Sequence, residues 1–490
     1  MKFLALLLPL LLCGSSQPDT AISIFMDDAN IRYTGRWDHS DPLAPWCSWQ
    51  GSSLTVNFQG SGILLDIDVG DNTEWFRVVI DEDHANSRKI PITPGRKWIT
   101  LAGGLSSGTH RLDLIKETYV SGRITVYEMH VRGLGLTTPP PPRPRRIEFY
   151  GDSNLAGYSL EHEENNGSSK YIGVHFGFSG VLARRMNAEY HNISASGENL
   201  RGTISRFDRV RRFGDFPQWD FQRFTPDVVI VNIGANDVGR DEPGIRNDYH
   251  TLLDQLRAVH PLAHIVVANA RGWSFDEPAN FTPDVVAQRQ DPNMSWVHFP
   301  WVFESGHACE SDQAGFAEVL ARHLEHELGW TPLPSDVLIG IGLDGDIANG
   351  GFEGTAPFGG YAWRYRSDPR TTRIKNAQQA FEGNAFLRLW NGGSTHQPVP
   401  ATNGDVVEVA CWMRGQGSAT VTIDFRNQEM FSAPLHAVDH VVQLQPQWTR
   451  VTMQVPAPLG TPRPIFHTRL TFTADAGSGC DVDAVQMRLR

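Results

Sequence analysis

Apolar residues early in the chain recur at every second position. Leu54, Val56 and Phe58 alternate with polar neighbours, Leu65, Ile67 and Val69 do so around Asp66 and Asp68, and Tyr127, Met129 and Val131 repeat the pattern. Alternation sends successive side chains to opposite faces of a pleated strand. Several short alternating runs, with turn residues between them and no helical stretch, predict an N-terminal β-sandwich of jelly-roll type over residues 20–134. The linker 135–145 contains the run TTPPPPRPR, which stiffens into polyproline and marks a boundary. The period then changes. Ile147-Glu148-Phe149-Tyr150, Val228–Val231 and Ile265–Ala268 read as short buried strands. Between and after them lie helical stripes, Leu252, Leu253, Leu256 and Val259 in one, and Phe316, Leu320, Leu324 and Leu328 in another that Gly329 ends. Strands alternating with helices predict a three-layer α/β/α domain with a parallel sheet over 146–332. From 336 to 490 alternation returns in Val407, Val409, Cys411 and Met413, in Val421, Ile423 and Phe425, and in Val451, Met453 and Val455, predicting a second β-sandwich.

Length and composition change this picture little. A chain of 490 residues is too long for one compact core, in keeping with several domains. The first residues, MKFLALLLPLLLCGSS, hold one early Lys and an apolar run from Phe3 to Leu12. They read as a secretory leader over 1–16, too short to span a bilayer, so the expectation is an exported, extracellular monomer. A net charge of -12 repels phosphate backbones and anionic lipid, which excludes nucleic-acid and membrane partners from this reading. Beyond the leader stand four cysteines, Cys47, Cys309, Cys411 and Cys480, at spacings that suit no zinc site. Cys411 and Cys480 lie in strand-like runs and are the expected disulfide pair in an oxidising compartment. Sequons begin at Asn166, Asn192, Asn280 and Asn293.

The chemistry concentrates in the middle segment. Gly151-Asp152-Ser153-Asn154 follows the first strand of the α/β pattern, where the carboxyl ends of parallel strands open onto a ligand crevice. Ser153 is therefore the candidate nucleophile, with its own backbone N–H turned toward an oxyanion. Ser194-Ala195-Ser196-Gly197 offers a bare backbone N–H at Gly197. Asn232-Ile233-Gly234-Ala235-Asn236-Asp237 places the Asn236 amide beyond another strand. In this order and spacing the blocks resemble the SGNH hydrolase superfamily. That resemblance implies a Ser–His(–acid) esterase with an oxyanion hole from Ser153, Gly197 and Asn236, and no metal or organic cofactor. The superfamily's last block carries an acid three residues before the catalytic His, usually with Pro after it. Here the corresponding stretch is Glu304-Ser305-Gly306-His307. His307 is the candidate base and Glu304 its candidate orienter; His298 competes for the base, and a Ser–His dyad that dispenses with Glu304 is the alternative.

The flanking segments narrow the class. Ile31-Arg32-Tyr33-Thr34-Gly35-Arg36-Trp37, then Trp46-Cys47-Ser48-Trp49-Gln50-Gly51-Ser52, then Gly108-Thr109-His110-Arg111-Leu112 with Lys116-Glu117-Thr118, all ahead of Gly-Asp-Ser, resemble carbohydrate esterase family two over about residues 22–330. The resemblance implies an acetyl xylan esterase-like enzyme that removes O-acetyl groups from xylan or glucomannan, acetylated polysaccharide being its partner. The C-terminal segment, opening Asn349-Gly350-Gly351-Phe352-Glu353 and later reading Thr395-His396-Gln397-Pro398-Val399, is similar to carbohydrate-binding modules. Trp363, Tyr365 and Trp390 are its candidate stacking platforms, since flat rings suit the apolar face of a pyranose. Two other readings stand beside the leading one, an esterase for other small acyl esters and a non-catalytic glycan-binding protein with a degenerate site.

Overall fold

The computed structural model describes residues 21–490 apart from 85, 163–164, 212–213, 215–216, 238, 269–280, 298, 300–306, 334–342, 345–346, 349, 354–362, 364–367, 428–432 and 466. The leader, Glu304, His298, Tyr365 and Asn280 lie outside the described residues.

The N-terminal region builds ten antiparallel strands, hydrogen-bonded into one sheet. Its core gathers the predicted alternating residues, Leu54, Val56, Phe58, Leu65, Ile67 and Val69 among them. The first two alternating runs belong to a single strand, Ser53–Asp68, which pairs with Gly108–Lys116 along one stretch and with Arg96–Ala102 along the other. Tyr127 departs from the alternation because the ladder shifts register between Val126 and Glu128. The bulge sends Val126, Met129 and Val131 inward and leaves Tyr127 half-buried under the Arg96 guanidinium at 3.7 Å.

The central region is a five-stranded parallel sheet in the order Ala188–Ser194, Arg145–Gly151, Val228–Asn232, His264–Ala268, Met294–Val297. Its strands carry apolar side chains on both faces, as a doubly covered parallel sheet requires. On one face Ile147, Phe149, Val228 and Ile230 pack against the helices Phe178–Arg185 and Glu310–Leu328. On the other, Tyr150, Val229, Val231 and Ile265 pack against Leu200–Arg206, Glu242–Val259 and Thr282–Arg289. The predicted stripes thus sit on the two longest described helices, Glu242–Val259 and Glu310–Leu328. Because Arg145–Gly151 is followed in sequence by the strand on one side of it and then by the strand on the other, the chain reverses its winding there. Ligands bind beyond the carboxyl ends at such a switch point.

The C-terminal region pairs a five-stranded sheet with a four-stranded one, and Val407, Val409, Met413, Val421, Ile423, Leu470 and Phe472 from both sheets share one core. Cys47, Cys411 and Cys480 carry free thiols. The expected Cys411–Cys480 bridge does not form, because the register sets Cys480 opposite Gly415. Cys411 is therefore roughly 13 Å away along the neighbouring strand, well past the Cα separation a disulfide tolerates. No helix among the described residues is long and apolar enough to cross a membrane.

Candidate active site

Ser153 stands two residues beyond the switch-point strand and is 6% exposed. Gly151 serves this placement by close approach, since a Cβ there would lie 2.6 Å from the Asn232 carbonyl oxygen on the adjacent strand. Past it the backbone coils: Ala156 N–H donates to the Asp152 carbonyl at 3.0 Å and Tyr158 N–H to the Ser153 carbonyl at 2.9 Å. Gln313, buried on the last helix, fastens this coil. Its amide donates to the Asn154 carbonyl at 2.9 Å and accepts from Phe178 N–H at 2.8 Å.

The two expected oxyanion donors come from the strands flanking Ser153. Gly151 pairs in register with both Ser194 and Asn232, so Gly197, three residues past Ser194, and Asn236, four past Asn232, leave the sheet at the same edge as the serine. Asn236 Nδ2 donates to the carbonyl of Glu198, next to Gly197, at 2.6 Å, which ties the two blocks together. An amide nitrogen carries two hydrogens, and that bond uses one. Asp237, fully buried, accepts from Leu200 N–H at 2.9 Å and locks this turn to the helix after Gly197.

His307 is brought to Ser153. Its Nε2 lies 2.8 Å from Ser153 Oγ, and its Nδ1 lies 3.0 Å from the side-chain oxygen of Asn165. The Tyr158 ring tilts against the imidazole with 4.5 Å between centroids. Sequence reasoning missed Asn165, Tyr158 and Gln313. None has a local signature, and Asn165 reaches His307 across 142 residues.

The N-terminal motifs prove to be joints with the catalytic domain. Arg36, fully buried, donates to Glu148 at 3.0 Å, to the Tyr150 hydroxyl at 2.8 Å, and to the carbonyls of Phe207 and Arg209 at 2.6 and 2.9 Å. His260 Nε2 lies 2.8 Å from the same carboxylate and His191 Nδ1 3.4 Å. Burial alone would raise the Glu148 pKa. The Arg36 charge and the bonds from His191 and His260 outweigh it and hold the carboxyl well below its ordinary value. Gln50 donates to Asn192 at 3.0 Å and to the Ser194 carbonyl at 2.7 Å, steadying the strand that leads to Gly197. Glu117 accepts from Val174 and His175 N–H at 2.6 and 2.9 Å and from Arg77 at 2.6 Å. The Asn192 sequon is closed by these contacts, since its side chain is buried and donates to the Leu155 carbonyl and the Ser179 hydroxyl.

The sugar-platform residues divide. Trp363 is not a platform, because it is 2% exposed and packs between Phe352 and Phe472 in the C-terminal core. Trp390 is 54% exposed and covers Gly479. Among the described residues, no group of three His, Cys, Asp or Glu side chains is placed to hold a metal ion.

Comparison with known proteins accords with this arrangement. Residues 33–141 match the carbohydrate esterase 2 N-terminal family model, and residues 149–331 match the GDSL-like lipase/acylhydrolase family. The cellulase/esterase CelE of Acetivibrio thermocellus is 28% identical over 330 residues, covering 62% of this chain and 40% of CelE, so the chain spans well under half of that relative. An acetylxylan esterase/glucomannan deacetylase of Cellvibrio japonicus is 24% identical over 347 residues, 65% of this chain and 95% of that one. Among solved structures, a family two carbohydrate esterase from Clostridium thermocellum in complex with cellohexaose gives a TM-score of 0.56 at 27% identity, over 61% of this chain and 99% of that one. A family two carbohydrate esterase from Cellvibrio japonicus gives 0.58 at 20% identity, over 64% and 99%, a likeness of fold.

Proposed function

Because the chain belongs to carbohydrate esterase family 2, with a GDSL-type hydrolase domain, we propose that it is a secreted carboxylic ester hydrolase. It acts as a monomer and removes O-acetyl groups from plant-type polysaccharides such as xylan and glucomannan. The observation that carries the proposal is the 2.8 Å contact between His307 Nε2 and Ser153 Oγ at the switch point of the parallel sheet.

The chemistry follows from that contact. Ser153 Oγ attacks the ester carbonyl while its proton passes to His307 Nε2. Negative charge grows on the carbonyl oxygen, where the N–H groups of Ser153 and Gly197 and the second Asn236 amide hydrogen meet it. Such a donor stabilises the transition state by about 3 kcal/mol. His307 then gives its proton to the departing sugar hydroxyl, leaving an acetyl group on Ser153 that water removes through the same histidine. Arg36, Gln50 and Glu117 bind the small N-terminal domain to the catalytic sheet, so that domain borders the cleft. The jelly-roll and sandwich readings of the outer domains, and glycan binding by the C-terminal one, belong to the same proposal; Trp390 is its remaining described platform. Binding there would raise the effective concentration of substrate and leave the chemistry unchanged.

A glycan-binding protein with a dead site has no need of a base within hydrogen-bond reach of the serine. The test compares release of acetate from acetylated xylan, and of nitrophenol from 4-nitrophenyl acetate, by the wild type and by Ser153→Ala. Loss of both activities in the variant is expected. Equal rates in the two proteins would remove the hydrolytic assignment.

A further inference from the structure

We infer that the side-chain amide of Asn165 is the positioning residue that holds the His307 imidazole in its base-competent tautomer, at the place a carboxylate occupies in a Ser–His–acid triad. The inference rests on the hydrolytic reading above.

A neutral imidazole carries one N–H. His307 Nδ1 faces Asn165 Oδ1 at 3.0 Å, an acceptor, so the proton belongs on Nδ1 and the Nε2 lone pair faces Ser153 Oγ at 2.8 Å. The opposite tautomer would set a donor against the serine proton and leave the Asn165 oxygen without its hydrogen. The loop is fastened just after Asn165. Asn166 N–H donates to Ser159 Oγ at 2.8 Å, Ser168 N–H to Asn166 Oδ1 at 3.0 Å, and Trp75 Nε1 of the N-terminal domain to Ser169 Oγ at 3.2 Å. Gly167 lies so close over the Tyr158 hydroxyl that a Cβ has no room there. Tyr158 in turn tilts against the imidazole. The same loop therefore supplies a hydrogen-bond acceptor to one edge of the ring and backs the aromatic ring against its face.

An amide orients without charge. When His307 takes the serine proton, Asn165 offers the imidazolium a dipole where a carboxylate would offer a full negative charge. Among the described residues, the Tyr158 ring lies against the face of the imidazole, and Asp152, next in sequence to Ser153, turns its carboxylate to Asn154 N–H at 2.9 Å. Placing a carboxylate at 165 thus adds a charge in line with Nδ1, and its signature is a pH shift that packing alone does not produce.

The experiment measures kcat and KM for 4-nitrophenyl acetate from pH 4 to 9 on the full chain, for wild type, Asn165→Ala, Asn165→Asp and Ser153→Ala. Asn165 is exposed, so its variants keep the core intact. Asn165→Ala is expected to lower kcat about 10- to 100-fold with KM changed less than about two-fold. Asn165→Asp is expected to keep activity at high pH and to move the acid limb of kcat/KM upward by about one pH unit. An Asn165→Ala enzyme with wild-type kcat, or with its loss wholly in KM, overturns the inference, as does an Asn165→Asp limb that stays in place. Wild-type rates in Ser153→Ala would instead overturn the hydrolytic reading on which it rests.

Discussion

Replacing Arg36 by Leu should uncouple the N-terminal domain from the catalytic sheet, and the structure sets the size of the loss. Arg36 and Glu148 are both fully enclosed, so solvent screens neither. Removing the cation leaves a buried carboxylate without its charge partner, a change that costs about 3–5 kcal/mol, and strips donors from the Phe207 and Arg209 carbonyls. For a domain of this size that corresponds to a fall in Tm on the order of 10 °C. The pH dependence carries a sign. In the wild type the Glu148 carboxyl is held below its ordinary value. Its stabilisation is therefore present above the unfolded carboxylate pKa of about 4.3 and disappears as pH falls through the folded value. The gap between wild type and Arg36→Leu should be widest near neutrality and narrow as pH falls below the ordinary carboxylate range. Adding Glu148→Gln, which removes the stranded charge, should recover part of the loss. Scanning calorimetry of the three proteins at pH 4, 5.5 and 7 decides the matter. A Tm change under about 2 °C at pH 7, or a gap that widens on acidification, refutes the reasoning.

Other outcomes follow from single features of the site and the fold. Asn236→Ala should lower kcat about 100-fold or more with little change in KM, because its amide acts on charge present only in the transition state; steady-state kinetics on 4-nitrophenyl acetate measure this. Trp363→Ala should destabilise the C-terminal domain by about 3–5 kcal/mol in urea unfolding while leaving aryl acetate hydrolysis at the wild-type rate, since the ring fills core between Phe352 and Phe472. Peptide mapping under non-reducing conditions should recover Cys411 and Cys480 unlinked, and reductant should leave Tm unchanged; a linked pair would contradict the strand register.

Much of the catalytic domain was legible because its strands are apolar on both faces and its blocks follow strand ends directly. Ile147, Val228 and Ile265 mark three of the five strands, and Ser153, Gly197 and Asn236 leave the same edge of that sheet. What escaped the sequence depends on partners far along the chain. Arg36 is one residue of a motif until Glu148, 112 residues on, shows why the core holds a cation there. The continuity of Ser53–Asp68 was hidden because two alternating runs look alike whether or not the chain turns between them. Trp363 shows a further limit: aromatic character does not reveal which face of a strand-rich domain a ring will occupy. Asn165 was invisible for a plainer reason, since a side-chain amide in a polar loop has no periodicity to betray it.

The central claim is that Ser153 is a nucleophile activated by His307. Its most direct measurement is intact and peptide mass spectrometry after reaction with a small fluorophosphonate, comparing the wild type, Ser153→Ala and His307→Ala. One covalent adduct on the peptide containing Ser153, absent from Ser153→Ala and strongly slowed in His307→Ala, is the predicted result. An adduct on another residue, or labelling that proceeds equally fast without His307, would contradict it.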